Sequence, residues 1–324
     1  MTQSLLDVRD LSVRFETDDG KTHAVDRMSF TVAPGQVLGV VGESGCGKSV
    51  TTMALLQLLP PSAVVTGQAL FEGTDLLSAR GSELRRVRGR EIAFVFQEPM
   101  TSLNPSFTIG RQIGETLSVQ LGLSKRAARK RTLELLELVH IPAPERRIDE
   151  YPHQLSGGMR QRVMIAIGLA CDPKILIADE PTTALDVTIQ AGILDLMREL
   201  RERLGMAIIL VTHNLGVVAD IADRVVVMYA GRKVEEAAVH ELFASPQHPY
   251  TIGLLGALPR RGAGRLQEIP GRVPSLTTLP DRCTFAPRCA RASEQCVARE
   301  PPLASVRTQH LVACVHPGVV EAAV

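Results

Sequence analysis

The sequence predicts an α/β fold. Three observations carry this. Short, continuously apolar, β-branched runs recur along the chain, helical patterns separate them, and one run feeds a glycine-rich loop that opens a helix. The runs are Val37-Leu38-Gly39-Val40-Val41, Ile175-Leu176-Ile177-Ala178, residues 207–211 and residues 225–228. Apolar throughout rather than alternating, they fit strands buried on both faces of a parallel sheet. Between two of them Ile189, Ile193, Leu196, Met197, Leu200 and Leu204 recur at helical spacing and form one apolar face. Strands alternating with helices define an α/β core.

The elements follow in order. Residues 5–34 read as short strands, with a polar loop around Asp18-Asp19-Gly20 and a turn at Pro34-Gly35, and are expected to form an N-terminal antiparallel β subdomain. Residues 98–155 show helical patterns near 109–121 and 124–139 and no buried-strand pattern, which predicts a helical insertion, taken to about 98–170 with the helical stretch that follows. Composition shifts near Pro246-Gln247-His248-Pro249-Tyr250. From residue 258 to residue 324 the chain is rich in Pro, Arg and Cys with little periodicity. The expected division is a main domain over 1–257, containing the insertion, and a small Cys-rich C-terminal extension over 258–324.

Composition narrows the function classes. A chain of 324 residues has room for about two domains. Its 36 Lys+Arg balance 35 Asp+Glu, and aromatic residues are 3% with no Trp, so neither a basic face nor stacking platforms for nucleic acid are expected. No run approaches the roughly 20 apolar residues that span a bilayer. Residues 1–10 lack the apolar stretch of a signal peptide, which points to a reducing compartment, where six cysteines are not a disulfide framework.

Gly42-Glu43-Ser44-Gly45-Cys46-Gly47-Lys48-Ser49 fits G-x-x-x-x-G-K-[ST] in full, after an apolar strand and before a helical stretch beginning Val50. The glycines let backbone N–H groups cradle phosphate oxygens, and the helix N-terminus adds its dipole. Lys48 supplies charge for the β- and γ-phosphates, and the Ser49 hydroxyl suits Mg²⁺. A second anchor is the strand ending in Asp179-Glu180. Two carboxylates at the C-terminal edge of a parallel sheet stand where ligands bind in open α/β folds. Asp179 suits Mg²⁺, and Glu180 suits polarising an attacking water.

Leu155-Ser156-Gly157-Gly158-Met159-Arg160-Gln161 resembles the signature motif of ATP-binding cassette (ABC) proteins, with Met159 where Gln is commoner. Gln97 after an apolar strand resembles their Q-loop, Ala184-Leu185-Asp186 their D-loop, and His213 after residues 207–212 their switch histidine. The stretches Phe96–Pro105, Glu180–Thr188 and His248-Pro249-Tyr250-Thr251 are similar to the D-type ATPase subunits of oligopeptide/dipeptide importers, related to nickel importers. The likeness spans nearly the whole chain.

The resemblance implies an ATP hydrolase that works as one of a head-to-tail pair. Lys48, Ser49, Gln97, Asp179, Glu180 and His213 would face one nucleotide, with Gly42, Ser44, Gly45, Cys46, Gly47 and Val50 forming its cradle. Mg²⁺ would be held by Ser49, Gln97 and Asp179. Ser156 and Gly158 would reach the γ-phosphate held by a second ABC ATPase subunit, an F-type paralogue or another copy. Phe15 is the candidate for stacking on adenine, with a core position as the alternative. Two integral-membrane permease subunits and an extracytoplasmic peptide-binding protein would complete the importer at the cytoplasmic face of the inner membrane, with residues 100–107 as a docking candidate. The rival reading is a soluble ABC ATPase acting on nucleic acid or ribosomes, which the near-neutral charge and single cassette disfavour.

Cys283, Cys289, Cys296 and Cys314 bring four soft ligands into a segment with little core of its own. Thiolates suit an iron–sulfur cluster or zinc. The spacing lacks the close C-x2-C pair of structural zinc sites, which favours a [4Fe–4S] cluster. Zinc and free or disulfide-linked thiols stay open, with His310 and His316 as substitute ligands. The tail is expected to stand apart from the phosphate loop, so nucleotide binding should survive loss of any one of these cysteines.

Overall fold

The computed structural model describes residues 4–17, 20–98, 102–183, 185–258, 269–274, 277 and 280–318. Its strands, in chain order, are β1 (Leu6–Thr17), β2 (Gly20–Val32), β3 (Val37–Val41), β4 (Ala63–Phe71), β5 (Thr74–Asp75) and β6 (Ile92–Val95), then β7 (Ile175–Asp179), β8 (Ala207–Thr212), β9 (Arg224–Tyr229), β10 (Arg232–Ala238), β11 (Ala304–Arg307) and β12 (His310–Val312). The chain divides into two compact units. One holds residues 1–33, 37–78 and 211–324; the other holds 34–36 and 79–210.

The first unit contains the expected antiparallel subdomain, in the order β2-β1-β4-β5. Alternate residues of β1 (Leu6, Val8, then Leu11 and Val13) are buried. The break in alternation is a bulge between Val8 and Leu11, where Asp10 takes a left-handed φ of 48°. A second set of strands runs β11-β12-β10-β9-β3. β3 pairs in parallel with β9, Leu38 to Arg224 through Val41 to Val227, and all five residues of β3 are buried. A strand buried on both faces is why this run shows no polar alternation.

The C-terminal extension joins this sheet. β12 pairs antiparallel with β10 through Glu235–Val312 and Glu236–Leu311, and β11 pairs with β12. Two strands of three and four residues leave too few positions for a period to register, which is why the tail looks patternless in sequence.

In the second unit β7 lies between β6 and β8. The segment expected to be helical holds the helices Ile109–Leu121, Lys125–Leu138, Pro144–Arg147 and Gly157–Gly168. Thr108, Ser124 and Ser156 cap three of them by accepting a backbone N–H, and Gly122 ends the first in a left-handed turn. Ile109, Ile113 and Leu117 are fully buried on the first helix, as are Leu135 and Leu136 on the second, and the two helices pack together. The helix Val187–Leu204 buries Ile193, Leu196, Met197 and Leu200, the middle of the predicted face. Ile189, in its first turn, stays 37% exposed.

A buried acid holds both the segment ahead of the extension and the extension's own His310. Glu235 accepts hydrogen bonds from the backbone N–H of Gln247 (2.7 Å) and of His248 (2.9 Å), and pairs with Nε2 of His310 (2.7 Å). His248 is the N-cap of the helix Pro249–Gly256: its Nδ1 accepts the N–H of Tyr250 at 3.0 Å. Burial pushes the His248 imidazole down to about 3 from an ordinary 6.5. The unfolded chain therefore takes up a proton between pH 6.5 and 3 that the folded chain refuses. This part of the stability is complete above pH 6.5 and is lost as pH falls toward 3, at about 1.4 kcal/mol per pH unit. His248→Asn, which keeps a capping oxygen and does not titrate, should retain more of its pH 7 stability at pH 5 than the unaltered chain. Urea unfolding at the two pH values checks this; equal losses in both proteins would contradict it.

Candidate functional site

β3 ends at Val41, and the chain turns through residues 42–47 into the helix Lys48–Leu55. Packing dictates the glycines. Gly42 and Gly47 have φ of 155° and 101°, and a Cβ on either would stand 2.3 Å from a carbonyl oxygen, that of Met228 or Ala24 respectively. No side chain fits there and few adopt that backbone. Lys48, 5% exposed, donates Nζ to the carbonyls of Gly42 (2.9 Å) and Glu43 (3.0 Å). Its ammonium thus sits inside the loop, where an anion cradled by the N–H groups would meet it. Ser44 and Gly45 are exposed at the rim, while Ser49 and Val50 lie half-buried in the first helical turn. Cys46 is buried beneath Gly42, and burial raises its thiol pKa, so it packs as a neutral side chain.

The loop is also tied to the far end of the chain. The N–H of Glu43 donates to the Tyr250 hydroxyl at 2.8 Å, and Arg288 forms a two-pronged pair with the Glu43 carboxylate. The expectation that the tail stands apart from the phosphate loop is therefore corrected. The signal available in sequence was the His248-Pro249-Tyr250 segment, whose chemistry gives no hint of its partner.

In the second unit, β6 and β7 pair in parallel, Ile92 with Ile175 through Val95 with Ala178. This register carries Gln97 and Glu180 off adjacent strand ends together. Gln97 Nε2 donates to Glu180 Oε2 at 3.0 Å, and the Thr183 hydroxyl donates to the same oxygen at 2.8 Å. Glu180 adopts a left-handed φ of 46°, uncommon for a residue with a side chain. Asp179 is buried at the end of β7. Thr183 was not among the residues singled out from sequence; it lies one turn past Glu180 and is recognisable only once that turn is known.

Ser156 is an exposed N-cap, accepting the Met159 N–H at 3.3 Å, at the head of the helix Gly157–Gly168. Gly158 has no room for a side chain: a Cβ would lie 2.5 Å from Ile189 Cγ2. The signature and the start of the helix capped by Asp186 are thus in contact. His213 is exposed just past β8 in the first unit. Phe15, on β1 opposite Thr22 and Ala63, is half-buried and outside the apolar core. Pro99, Met100, Thr101 and Ala184 lie outside the described residues.

Cys283, Cys289, Cys296 and Cys314 line one small cavity together with His248 and His316. Burial, with the neighbouring cysteines adding to it, pushes the Cys314 thiol up to about 11 and raises Cys283 and Cys289. His316 Nε2 pairs with the Ser293 hydroxyl at 2.7 Å; His310 is engaged by Glu235 instead of facing the cavity. Among the described residues, no three His, Cys, Asp or Glu side chains are arranged to hold one metal ion.

A phosphate loop after β3, acids at the end of β7 and a capped glycine-rich helix head define the ATP-binding-cassette class of ATPases. The chain belongs to that family: residues 25–183 match the family model described as ABC transporter, and residues 234–296 match that of the oligopeptide/dipeptide transporter C-terminal region. It is 51% identical to the probable peptide ABC transporter ATP-binding protein y4tR of Sinorhizobium fredii, over 96% of this chain and 94% of the relative. It is 54% identical to the putative peptide import ATP-binding protein BAB2_1052 of Brucella abortus, over 93% and 91%. Among solved structures, the ATP-binding cassette MJ0796, a dimer bound to ADP and Pi in a post-hydrolysis state, aligns with TM-score 0.65 at 28% identity, covering 72% of this chain and 98% of that one. The cbiO1 protein of Clostridium perfringens, part of the transporter complex cbiONQ, aligns with TM-score 0.64 at 32% identity, covering 74% and 91%.

The two donors on Glu180 generate a prediction. Thr183→Val removes one and leaves the phosphate loop untouched, so it should lower kcat for ATP by about threefold to tenfold with little change in nucleotide affinity. Steady-state hydrolysis and equilibrium binding, measured side by side, test it. An unchanged kcat would remove Thr183 from this role.

Proposed function

We propose that this chain binds and hydrolyses ATP to energise the import of di- or oligopeptides through an ABC transporter. The observation that carries the reading is its likeness, over more than nine-tenths of its length, to proteins named for peptide import. Uptake of nickel or another small solute by the same type of assembly is the alternative, because cargo is selected outside the ATPase.

In this reading the N–H groups of the phosphate loop and Lys48 bind the triphosphate, and the half-buried Phe15 stacks on adenine. Ser49, Gln97 and Asp179 would hold the nucleotide's Mg²⁺, which would supply neutralisation of phosphate charge. Glu180, oriented by Gln97 and Thr183, polarises the attacking water. His213 senses the γ-phosphate. Ser156 and Gly158 act on the nucleotide held by a second ATPase subunit: the exposed N-cap head of a twelve-residue helix suits a phosphate. Apolar Val187, 83% exposed beside Asp186, suits burial in such a pair.

Among the described residues no helix is long and apolar enough to cross a membrane. Attachment to the membrane would run through two permease subunits, docked near residues 100–107, with a peptide-binding protein outside and no nucleic acid partner. The place of work would be the cytoplasmic face of the inner membrane.

We read the four tail cysteines as ligands of one [4Fe–4S] cluster. The donor set fits: four thiols around one cavity, walled by Phe285, Ala286 and Val315. The bound cluster would cross-link the extension.

Glu180→Gln should retain ATP while hydrolysis stalls, whereas Lys48→Ala should weaken ATP binding itself. Full turnover by Glu180→Gln in the assembled transporter, or unchanged affinity in Lys48→Ala, counts against the assignments. Peptide uptake, compared with nickel uptake, by the assembled importer separates the two cargo readings.

The raised thiol pKa values make cluster loading a contest with protons. Anaerobic reconstitution should therefore give more iron and acid-labile sulfide per chain at pH 8.5 than at pH 6.5. Colourless protein carrying stoichiometric zinc, or four freely alkylated thiols in metal-replete protein, would overturn the cluster.

A further inference from the structure

The phosphate loop of this chain carries an acid. Glu43 follows Gly42 directly, in a loop whose task is to hold a strongly anionic group, and an unpaired carboxylate there opposes anion binding. The structure meets it with a cation from 245 residues away. Arg288 donates Nη1 to Glu43 Oε2 at 2.8 Å and Nη2 to Oε1 at 3.1 Å, the paired-fork geometry of a strong charge-assisted contact. The Arg288 side chain is 7% exposed and that of Glu43 27%, so solvent screens the pair little.

The guanidinium is itself held in place. Nε donates to the Pro270 carbonyl at 2.7 Å, Nη2 to that of Ile269 at 3.3 Å, and Nη1 reaches the Tyr229 hydroxyl at 3.4 Å. Beneath it Tyr229, Tyr250 and Phe285 pack in mutual contact, with ring centroids 4.7 to 5.4 Å apart. Tyr250 in turn receives the Glu43 N–H. Arg288 closes the single turn Ala286–Arg288, between Cys283 and Cys289.

We propose that Arg288 is a positioning residue of the nucleotide site, which neutralises Glu43 so that Lys48 acts on the triphosphate unopposed. This rests on the loop's reading as the nucleotide site, which binding of ATP by the unaltered chain reports separately.

Charge neutralisation has a fingerprint that a structural brace lacks: the two partners respond with opposite signs. ATP affinity of the full chain, with Mg²⁺, is measured by titration at low and high salt. Arg288→Met exposes the carboxylate and should weaken ATP about tenfold at low salt, less at high salt. Glu43→Gln removes the opposing charge and should leave affinity unchanged or up to about threefold tighter. The double variant should return to within about threefold of the unaltered chain, and Arg288→Lys, with charge but no fork, should lose about threefold.

Equal weakening by both single variants, failure of the double variant to recover, or unaltered affinity in Arg288→Met overturns the proposal. Circular dichroism reports folding. Should Arg288→Met not fold, Glu43→Gln alone decides: weaker binding than the unaltered chain refutes neutralisation. Loss of ATP binding by the unaltered chain removes the nucleotide reading and this proposal together.

Discussion

Everything in the phosphate site depends on how closely two backbone carbonyls approach the loop. The oxygen of Met228, on β9, presses on Gly42, and that of Ala24, on β2, presses on Gly47. Both sheets of the first unit thus close on the loop from different strands. With no space for a Cβ, the loop needs glycine at 42 and 47, and Lys48 reaches across to its carbonyls.

The second unit applies a different constraint, strand register. β6 and β7 differ in length and lie far apart in sequence, but parallel pairing that ends at Val95–Ala178 leaves Gln97 and Glu180 as neighbours. One residue of slip would turn each side chain to the other face. The left-handed backbone at Glu180 is the local cost of presenting its carboxylate there, and the hydrogen bonds from Gln97 and Thr183 help offset it. A strained acid with two donors on one oxygen is a group held in one orientation, which is what aiming a water requires.

Much of this was legible in sequence, because the chemistry of the loop, the acidic strand end and the helix caps is local. Gly42–Ser49 is contiguous, Ser156 sits three residues before the N–H it accepts, and the run at 37–41 announces its own burial. What stayed hidden joins distant segments. Nothing near Glu43 announces Arg288; nothing near Glu235 announces His310 or the backbone of Gln247 and His248. Phe15 could not be assigned to core or surface, because the bulge at Asp10 shifts the alternation on which such a reading rests. The tail's strands are too short to carry any period.

The hidden contacts share a direction: they bind the chain beyond β10 to the strands and glycine-rich loop of the first unit. β12 zips onto β10, Glu235 gathers the chain at 247–248, and Tyr250 and Arg288 take hold of the phosphate loop itself. A tail serving only as an appendage would need none of these. The polar groups involved are mostly buried, and buried polar groups left without partners are costly, so each of these contacts is expensive to break. The cysteine cavity lies within the same web, since Cys283 and Cys289 flank the turn that ends in Arg288 and His248 both lines the cavity and caps the helix bearing Tyr250. Arg288 thus stands inside the cysteine-bearing segment, and its guanidinium makes that segment's contact with Glu43.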